Sequence, residues 1–448
     1  MNKKIDRVSI IGLGYVGVTM AAFLASKGVK VIGVDVDEDK IEILSNGAPP
    51  FYEEKLEAYL TEGLRNKMLE FSTSYEHAIS NSLISFVTVG TPSRKDGSID
   101  LRYIEDASAS IGRALKNKKG YYLVVIRSTV IPETCEYSVK NIIEEYSGKK
   151  AGKEWGLCMN PEFLKEGSAL KDISRPARIV IGEYDKKSGD MLEKFYRQIY
   201  DDPEIPIIRT SLSTAEIIKY ANNAFLATKI SFINSIADIC EKIEKCDVAR
   251  VAKVLGLDPR ISPFFLNAGL GFGGSCLPKD IRALIAFSKE IDANSRLLES
   301  VYEINKNQPL KAVEFCEQLI GEVKGMRIAI LGLAFKPNTD DIREAPSLKI
   351  IDELLKRKAL VVVYDPQALE NVRRIYGDKL IYASTPLECL ASADCAIVVT
   401  EWVDFKKLTP EDYKRYMRNP AIVDGRRIYD PEEFKNAGVK YLAIGLGR

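Results

Sequence analysis

The sequence of 448 residues has a single histidine and no CxxC cysteine pair. Its one histidine, His77, lies in Ser74–Tyr–Glu–His–Ala–Ile–Ser80, a stretch typical of an ordinary solvated helix. A mechanism that needs an imidazole base or metal ligand would have to use this residue, and no motif surrounds it. The eight cysteines lack regular spacing and include no CxxC pair, which disfavours a metal site and a disulfide framework. Catalysis must therefore use Cys, Lys, Asp, Glu, Thr or Asn side chains.

Long apolar runs and concentrated charge are also missing. No stretch approaches the length of a membrane span, and residues 1–6 lead into a strand without the apolar core of a signal peptide. The 64 Lys and Arg balance the 63 Asp and Glu, with no basic run to favour nucleic acid or a membrane surface. The sequence therefore predicts a cytoplasmic protein that binds neither nucleic acid nor membrane. Its length predicts two or three domains.

The first glycine-rich element follows a short predicted strand. Gly12–Leu–Gly14–Tyr–Val–Gly17 lies between the strand Arg7–Ile11 and a helical stretch that ends at Gly28. The next strand, Val31–Asp35, ends in an acid, and this arrangement is typical of a dinucleotide site. The glycines permit a tight turn and close approach of a pyrophosphate, which the helix N-terminus faces. Asp35 is expected to bind the ribose hydroxyls and repel a 2′-phosphate, which favours NAD over NADP; the alternative is a turn without a ligand.

Further strand ends and one polar loop follow. The predicted strands Ile84–Pro92 and Tyr121–Thr129 end in threonine-containing turns. Ligands bind at the carboxyl ends of strands in open α/β sheets, so Thr91 and Thr129 are expected near the cofactor. The charged segment Asn160–Pro–Glu–Phe–Leu–Lys–Glu–Gly167 follows another strand. From spacing alone, it is either a binding loop or a solvated turn.

A long helix is predicted over Thr214–Ile239, which contains no Gly or Pro. It exceeds a typical crossover helix and indicates a spine that joins two halves of the chain. Lys219 and Asn223 are four residues apart and share one face of this helix. A lysine and an amide on an otherwise apolar helix suggest donors for a developing oxyanion, and the alternative is an exposed polar stripe.

The segment Gly271–Phe–Gly–Gly–Ser–Cys–Leu–Pro–Lys–Asp280 places a thiol just before a helix. Pro278 suits the first helical turn, so Cys276 is expected at the positive end of the helix dipole, which favours thiolate. Lys279 adds a positive charge, and Asp280 lies one turn on as a candidate acid, base or water-orienting group. This pattern resembles a nucleophilic cysteine. The alternative is a small buried apolar residue, which is the interpretation for the other seven cysteines: Cys135, Cys158, Cys240, Cys246, Cys316, Cys389 and Cys395.

The C-terminal part repeats the N-terminal pattern. Arg327–Pro337 echoes the first strand and glycine turn, and Leu360–Asp365 echoes the strand that ends at Asp35. Ala334 and Pro337 replace two of the glycines, so this unit is not expected to hold a dinucleotide in the same way. It would hold a smaller ligand, such as a nucleoside diphosphate.

These elements predict an α/β fold with two Rossmann-like doubly wound domains, joined by a long central helix and a helical middle domain. The predicted boundaries are 1–205 for the NAD-binding domain and 206–310 for the central domain, which carries the spine helix and the cysteine. Residues 311–448 form the second Rossmann-like domain, which would bind the smaller ligand.

Several separate segments of this chain resemble the nucleotide-sugar 6-dehydrogenases, the UDP-glucose/GDP-mannose dehydrogenase family. The resemblance covers nearly the whole length. The matching segments are Gly12–Gly17, Val89–Pro92, Ser128–Val130, Asn160–Gly167, Lys219–Asn223, Gly271–Asp280, Phe335–Glu344 and Asp424–Arg426.

The resemblance implies a four-electron oxidation of a sugar CH2OH to a carboxylate with two NAD+. Cys276 would capture the aldehyde as a thiohemiacetal, and a second oxidation would give a thioester that water hydrolyses. Lys219 and Asn223 would stabilise the oxyanions, and Asp280 would orient or activate water. The catalytic residues implied are Cys276, Lys219, Asn223, Asp280, Glu162 and Thr129.

The resemblance also assigns binding residues. An arginine matched by Arg260 crosses from a neighbouring subunit, which implies a homodimer or larger homo-oligomer. The cofactor-binding residues implied are Gly12, Gly14, Tyr15, Val16, Gly17, Asp35, Lys40, Thr91, Thr129, Glu166, Lys279 and Arg343. Those implied for the nucleotide sugar are Phe163, Leu164, Lys165, Glu166, Lys219, Asn223, Arg260, Phe264, Phe265, Leu266, Gly273, Lys336 and Arg426.

The choice of nucleotide sugar rests on the cysteine segment. Gly–Phe–Gly–Gly–Ser–Cys is similar to the UDP-glucose branch, whereas Leu–Pro–Lys–Asp occurs in UDP-glucose and GDP-mannose members alike. The N-acetylated sugar branch tends to carry His where Ser275 stands. UDP-glucose, oxidised to UDP-glucuronate for polysaccharide biosynthesis, is therefore favoured, with GDP-mannose and a UDP-N-acetylhexosamine as alternatives.

Three positions depart from the family pattern. Glu133 stands in a turn that usually reads Pro-Gly-Thr, Glu54–Lys55 replaces a usual Pro-Gly, and Ser235 replaces a common acid. These departures leave local turn geometry and one helix contact open, and they do not affect the reaction.

Other functions remain as alternatives. A nucleotide-sugar epimerase would need a Tyr-x-x-x-Lys pair, and Tyr302–Lys306 has this spacing, but the pair lies outside the first nucleotide unit and leaves Cys276 without a role. A β-hydroxyacid dehydrogenase would not need the cysteine. A non-catalytic nucleotide-sugar sensor with a decayed site predicts loss of Cys276, Lys219 or Asp280, which are all present.

Overall fold

The computed structural model describes residues 4–447. The chain divides into two compact units. The first ends at Asn222 and the second begins at Asn223. The predicted three-domain boundaries therefore stay a prediction. Within residues 4–447, no helix is long and apolar enough to cross a membrane.

The first unit is built on one sheet of eight strands. The strands are β1 (Arg7–Ile11), β2 (Lys30–Val34), β3 (Leu69–Ser72), β4 (Ile84–Val87), β5 (Tyr122–Ile126), β6 (Trp155–Met159), β7 (Ile179–Glu183) and β8 (Ile207–Ser211). Their order in the sheet is β3-β2-β1-β4-β5-β6-β7-β8, and only the β6–β7 pair is antiparallel. The connection that reverses direction between β1 and β4 creates the crevice where doubly wound folds bind nucleotides.

Helices cover both faces of this sheet. They are α1 (Tyr15–Ser26), α2 (Glu38–Ser45), α3 (Leu56–Arg65), α4 (Tyr75–Asn81), α5 (Arg102–Leu115), a π-helix (Thr134–Val139) that leads into α6 (Lys140–Ser147), α7 (Ala169–Ser174) and α8 (Lys186–Ile199). Because side chains alternate along a strand, the unit has two apolar cores. Ile10 and Phe86 belong to one core, and their neighbours Ile11 and Val87 belong to the other.

Helix α9 (Leu212–Cys240) has 29 residues and begins in the first unit and ends in the second. The predicted long helix is confirmed within two residues at each end. The other helices before the second sheet are α10 (Val248–Gly256), α11 (Leu277–Glu290), α12 (Arg296–Asn307), a 3-10 turn (Gln308–Leu310) and α13 (Lys311–Ile320).

The second unit contains a sheet of six parallel strands. They are β9 (Arg327–Leu331), β10 (Leu360–Tyr364), β11 (Ile381–Tyr382), β12 (Cys395–Val398), β13 (Ala421–Asp424) and β14 (Lys440–Ala443), in the order β11-β10-β9-β12-β13-β14. This order repeats that of the first six strands, which confirms the predicted internal repeat. The helices between them are α14 (Pro346–Lys356), α15 (Leu369–Tyr376), a 3-10 turn (Gly377–Lys379), α16 (Pro386–Leu390), α17 (Val403–Lys406), α18 (Pro410–Tyr416) and α19 (Pro431–Asn436).

Two of the departures from the family pattern adopt the backbone conformation that favours glycine. Lys55 has φ +68° and Glu133 has φ +75°, both in the left-handed region. A side chain there costs roughly 1–2 kcal/mol relative to glycine. Glu133 is held by its N–H, which donates to Glu216 Oε2 at 2.7 Å. The turns are therefore formed despite the missing glycines.

The cysteine prediction is confirmed for five residues and wrong for two. Cys135, Cys158, Cys316, Cys389 and Cys395 are buried thiols. Cys240 and Cys246, predicted as small buried apolar residues, form a disulfide with a Cα–Cα distance of 5.0 Å. Successive turns after α9 fold the chain back, with Ile243 N donating to Cys240 O and Cys246 N to Ile243 O. Spacing alone gives no sign of this, because the turn that brings them together contains no Gly or Pro.

Candidate active site

The glycines after β1 have different structural roles. Gly12 has φ +96°, and a Cβ there would lie 2.7 Å from the backbone nitrogen of Val89. A Cβ on Gly17 would lie 2.0 Å from the carbonyl oxygen of Gly12. A Cβ on Gly14 would have no neighbour within 4 Å, so the loop leaves open space at the N-terminus of α1. That space and the exposed helix dipole fit a dinucleotide pyrophosphate.

Thr88 is a loop-supporting residue that the sequence pattern did not identify. Its buried hydroxyl donates to the carbonyl oxygen of Gly12 at 2.6 Å. The signal was present, since Thr88 follows β4 directly and the carboxyl end of β4 borders the crevice. At the same sheet edge, Thr91 Oγ1 donates to the carbonyl oxygen of Thr129 at 2.9 Å. The two threonines predicted at strand ends are therefore adjacent.

Asp35 directly follows β2, at the carboxyl end of that strand. Its Oδ2 accepts from the N–H of Leu13 at 2.8 Å and from Nζ of Lys40 at 2.9 Å. Burial alone would raise the pKa of this carboxyl, but the Leu13 N–H and the Lys40 ammonium hold it below its usual range. Asp35 is thus a fixed anion, a group that can accept hydrogen bonds from ribose hydroxyls.

The corresponding acid of the second unit has a structural role. Asp365 is 2% exposed. It accepts hydrogen bonds from five donors: the N–H groups of Leu333, Ala334, Gln367 and Ala368 and the indole Nε1 of Trp402. Its oxygens are occupied by the protein itself, so it does not offer a ribose site. This agrees with the loss of two glycines from the second turn.

Glu162 and Lys219 form a buried ion pair in the first unit. The Nζ of Lys219 lies 2.8 Å from Glu162 Oε1 and 2.7 Å from the carbonyl oxygen of Glu162. Burial opposes ionisation, but the Lys219 ammonium and the Leu164 N–H hold the pKa of Glu162 below its usual range. Lys219 also lies 5.5 Å from the ring centroid of Phe163. The loop after β6 is therefore partly buried and held by an ion pair, and the solvated-turn alternative is wrong.

An arginine that the sequence pattern did not identify supports this loop. The guanidinium of Arg178 stacks 3.9 Å from the ring centroid of Phe163. Its Nη2 donates to Asn222 Oδ1 at 2.8 Å. Beneath the loop, Arg127 and Tyr196 both bond to Asn160 Oδ1. A cavity of about 230 Å³ adjoins these residues.

Cys276 directly precedes α11, as the N-cap residue of this helix. It is the only exposed free cysteine in the part of the chain that the structure describes. Its carbonyl oxygen accepts from the N–H of Asp280 at 2.8 Å, and its Sγ lies 3.4 Å from Ser275 Oγ. The predicted position before the helix is confirmed, and the buried apolar alternative is wrong for this cysteine.

Asp280 is buried one turn after the cysteine, between a neutral and a charged donor. Its Oδ2 accepts from Asn223 Nδ2 at 2.6 Å, and its Oδ1 lies 2.9 Å from Lys279 Nζ. Asn223 is buried as well, so the polar-stripe alternative is wrong for this face of α9. The structure thus brings together Asn223 and Asp280, two residues that the sequence predicted in separate segments.

The buried side-chain amide of Asn305 fixes the backbone of the glycine-rich segment before Cys276. Asn305 Oδ1 accepts from the N–H of Phe272 at 2.7 Å, and its Nδ2 donates to the carbonyl oxygen of Phe272 at 2.9 Å. A Cβ on Gly273 would lie 2.4 Å from the carbonyl oxygen of Glu344, and Gly274 N donates to the carbonyl oxygen of Arg343 at 2.8 Å. Sequence reasoning missed Asn305, although it lies four residues after buried Val301 on the same face of α12.

The second unit contains a basic cavity of about 460 Å³. Its lining includes Arg426, Arg427, Lys406 and Leu266. Arg426 is fixed by Nε donating to the carbonyl oxygen of Val399 at 2.7 Å and Nη1 to that of Gly271 at 3.1 Å. Such a cavity fits the phosphates and base of a nucleotide.

Five further predicted residues of the second unit lie in loops. Phe265 has φ +63°, a strained conformation for a bulky residue, and Phe264 is exposed. Arg343 pairs with Asp341 at 2.7 Å, and Lys336 lies beside the ring of its neighbour Phe335. Arg260 is 89% exposed and pairs with Asp258 at 2.6 Å. Within residues 4–447, the structure therefore places Arg260 outside the described cavities.

Models of one family match most of the chain. The NAD binding domain of the UDP-glucose/GDP-mannose dehydrogenase family matches residues 6–200, its central domain matches 213–307, and its UDP binding domain matches 329–431. The matched NAD binding and UDP binding domains identify an NAD-dependent oxidoreductase with a nucleotide-sugar substrate. The chain belongs to the UDP-glucose/GDP-mannose dehydrogenase family.

Full-length relatives agree with this assignment. The chain is 40% identical over 439 residues to the UDP-glucose 6-dehydrogenase TuaD of Bacillus subtilis, covering 98% of this chain and 93% of that protein. It is 42% identical over 427 residues to the UDP-glucose 6-dehydrogenase AglM of Haloferax volcanii, covering 95% and 98%. The structure of a UDP-glucose dehydrogenase from Pyrobaculum islandicum superposes with a TM-score of 0.92 at 38% identity, over 99% of each chain.

Proposed function

We propose that the protein oxidises the C6 hydroxymethyl of UDP-glucose to the carboxylate of UDP-glucuronate. The observation that carries this proposal is the exposed Cys276 at the N-terminus of α11, one turn before buried Asp280. An alcohol oxidised only to an aldehyde needs no nucleophile. A thiol serves when the aldehyde is held covalently and oxidised again.

The cofactor is held by the glycine loop and Asp35 of the first unit. Bound NAD+ supplies the hydride acceptor for each of the two oxidations. Gly14 leaves space for the pyrophosphate at the start of α1, and Asp35 accepts from the ribose hydroxyls. The fixed negative charge of Asp35 repels a 2′-phosphate and so selects NAD+ over NADP+.

Cys276 keeps the sugar bound between the oxidations. Its thiolate adds to the aldehyde carbon, which forms a C–S bond and places the electron pair of the carbonyl on oxygen. Oxidation of this thiohemiacetal gives a thioester. Water then adds to the thioester carbon, the C–S bond breaks, and the carboxylate leaves while the thiol is regenerated. The aldehyde is never released.

Lys219 and Asn223 supply donors for the oxygen that becomes negative. Glu162 keeps the ammonium of buried Lys219 in a fixed position, so the donor needs no reorganisation when charge develops. Asp280 has an orientation fixed by Asn223 and Lys279, which suits a carboxylate that positions or deprotonates the hydrolytic water. Thr129 and Glu162 assist these steps.

The nucleotide of the substrate is assigned to the basic cavity of the second unit. Arg426 and Lys336 pair with the diphosphate, and residues 264–266 contact the sugar or the nucleotide. Phe163, Leu164, Lys165 and Glu166 contact the sugar and diphosphate. The exposure of Arg260 supports the proposal that it acts across a homodimer interface. A cytoplasmic location also stays a prediction.

The number of NADH molecules formed per nucleotide sugar tests the reaction. At limiting sugar, UDP-glucose is expected to give two NADH, because both oxidations occur before release. GDP-mannose and UDP-N-acetylmannosamine, assayed in parallel, are expected to give little or none. One NADH per sugar would eliminate the thioester mechanism. Oxidation of another sugar instead would change the substrate, and no NADH with binding of all three would favour a non-catalytic sensor.

Replacing Asp35 by asparagine tests the cofactor assignment. Asp35→Asn keeps the side-chain size but removes the charge that accepts from ribose hydroxyls and repels a 2′-phosphate. Since a hydrogen bond to a charged group contributes about 1.5–3 kcal/mol, the ratio of kcat/KM for NAD+ to that for NADP+ should fall at least about tenfold. Asp39→Asn, at an exposed position on α2, is the control and should leave this ratio unchanged. An unchanged ratio in Asp35→Asn would refute the assignment.

A further inference from the structure

Glu53 is a buried carboxylate outside the residues assigned to the reaction. It lies between α2 and α3 and is 6% exposed. Its Oε2 accepts from the hydroxyl of Tyr15 and from the N–H of Gly167 at 2.8 Å. Its Oε1 accepts from the N–H of Leu170 at 3.4 Å. A buried carboxylate is costly unless such donors are held in place.

The partners of Glu53 belong to two different binding elements. Tyr15 is the first residue of α1 and follows Gly14 of the cofactor loop. Gly167 ends the segment that contains Phe163–Glu166, and Leu170 lies in α7. The N–H of Gly167 reaches both Glu53 and the hydroxyl oxygen of Tyr15, the latter at 2.7 Å. One carboxylate thus joins segments about 150 residues apart in sequence.

The Tyr15 side chain is also held by a neighbouring aromatic ring. The rings of Tyr15 and Phe51 lie 4.7 Å apart between centroids. Burial and the neighbouring Glu53 carboxylate raise the pKa of Tyr15 well above its usual range, so the phenol stays protonated and remains the donor. A displacement of either loop must therefore stretch or break bonds to the other.

We propose that Glu53 is a positioning residue through which the cofactor loop and the Phe163–Gly167 segment order each other, so that NAD and the nucleotide sugar bind with positive coupling. This inference rests on the proposed function, because it takes that segment as part of the sugar site. Coupling is reciprocal: whatever factor the sugar adds to the affinity for cofactor, the cofactor adds to the affinity for sugar.

The experiment measures the affinity for NADH by its fluorescence, with and without saturating UDP-glucose. NADH is already reduced, so the ternary complex does not react. For the unmodified protein, the sugar is expected to increase the affinity for NADH at least about fivefold. Glu53→Leu removes both acceptor oxygens and keeps a side chain of similar size. It should reduce this factor to within about twofold of unity. Glu53→Gln retains one acceptor oxygen and should keep an intermediate factor.

Glu54→Leu is the matched control, because Glu54 is the exposed neighbour of Glu53 in sequence. It should retain the coupling of the unmodified protein, and thermal unfolding confirms that each variant is folded. If Glu53→Leu fails to fold, Glu53→Gln decides, and an unchanged factor in that variant overturns the inference. UDP-glucose that does not bind would contradict the proposed function instead. UDP-glucose that binds without changing the NADH affinity of the unmodified protein would overturn the coupling alone.

Discussion

Cys276→Ala is expected to lower kcat for complete oxidation of UDP-glucose by at least about 10³-fold, or roughly 4 kcal/mol of transition-state stabilisation. The reason is that without Sγ no C–S bond holds the aldehyde for the second oxidation. The Sγ lies at the N-terminus of a helix of 14 residues, where the dipole favours an anionic nucleophile. The rate of NADH formation and the yield of carboxylate measure the effect together.

The affinity of this variant for substrate separates chemistry from binding. Since Cys276 is exposed and its removal disturbs no core, Cys276→Ala should bind UDP-glucose and unfold at nearly the temperature of the unmodified protein. Cys316→Ala is the control, because that thiol is buried in the core of the second unit. It should lower stability and leave kcat per folded molecule unchanged. A Cys276→Ala variant that still forms two NADH per sugar would refute covalent capture.

Lys219→Met is expected to reduce both activity and stability. Loss of a preorganised donor to an oxyanion lowers kcat by roughly 10²–10³-fold. The same change leaves Glu162 as a buried carboxylate without its cation, which lowers the free energy of unfolding by about 3–5 kcal/mol. Steady-state kinetics and denaturant unfolding measure the two effects on the same variant. Lys229→Met, ten residues further along α9, is the control, because its Nζ lies near the protein surface and bonds to the carbonyl oxygen of Ile261.

The double variant Lys219→Met/Glu162→Leu distinguishes the two effects. Removing the carboxylate as well eliminates the unpaired charge, so most of the lost stability should return while kcat stays low. Recovery of kcat in the double variant would contradict the role of Lys219 as a donor. Loss of kcat without loss of stability in Lys219→Met would contradict the buried ion pair.

Lowering the pH should reduce the free energy of unfolding of the unmodified protein through the Glu162–Lys219 ion pair. The pKa of Glu162 is held below its usual range, so its contribution to stability is present above the unfolded-state pKa of about 4.3 and is lost as the pH falls through the folded pKa. The double variant lacks this group. Its stability should therefore decline less steeply on acidification than that of the unmodified protein.

The sequence alone determined the main elements of the fold. Strict strand–glycine–helix order and a second strand ending in an acid predicted the first sheet and its cofactor loop, because few folds use that combination. The absence of Gly and Pro over Thr214–Ile239 predicted α9. The repeated strand pattern predicted the second sheet, and the family models confirmed the resemblance found from the motifs.

Other features depended on contacts that sequence spacing does not encode. Asp35 and Asp365 end equivalent strands, yet only the structure shows that five donors of its own unit occupy Asp365. Likewise, the Cys240–Cys246 disulfide depends on turns formed by ordinary residues.

The division is clearest at the proposed catalytic residues. Local sequence predicted Cys276, Lys219 and Asp280, because chemistry restricts which residue types can act and helical spacing restricts where they lie. Only tertiary structure placed the Glu162 carboxylate on Lys219 and the Asn223 amide on Asp280, each pair 57 residues apart in the chain. The contacts of Glu53 could not be predicted from the sequence for the same reason. The partners of a buried charge are chosen by packing, since desolvation makes any unpaired position too costly.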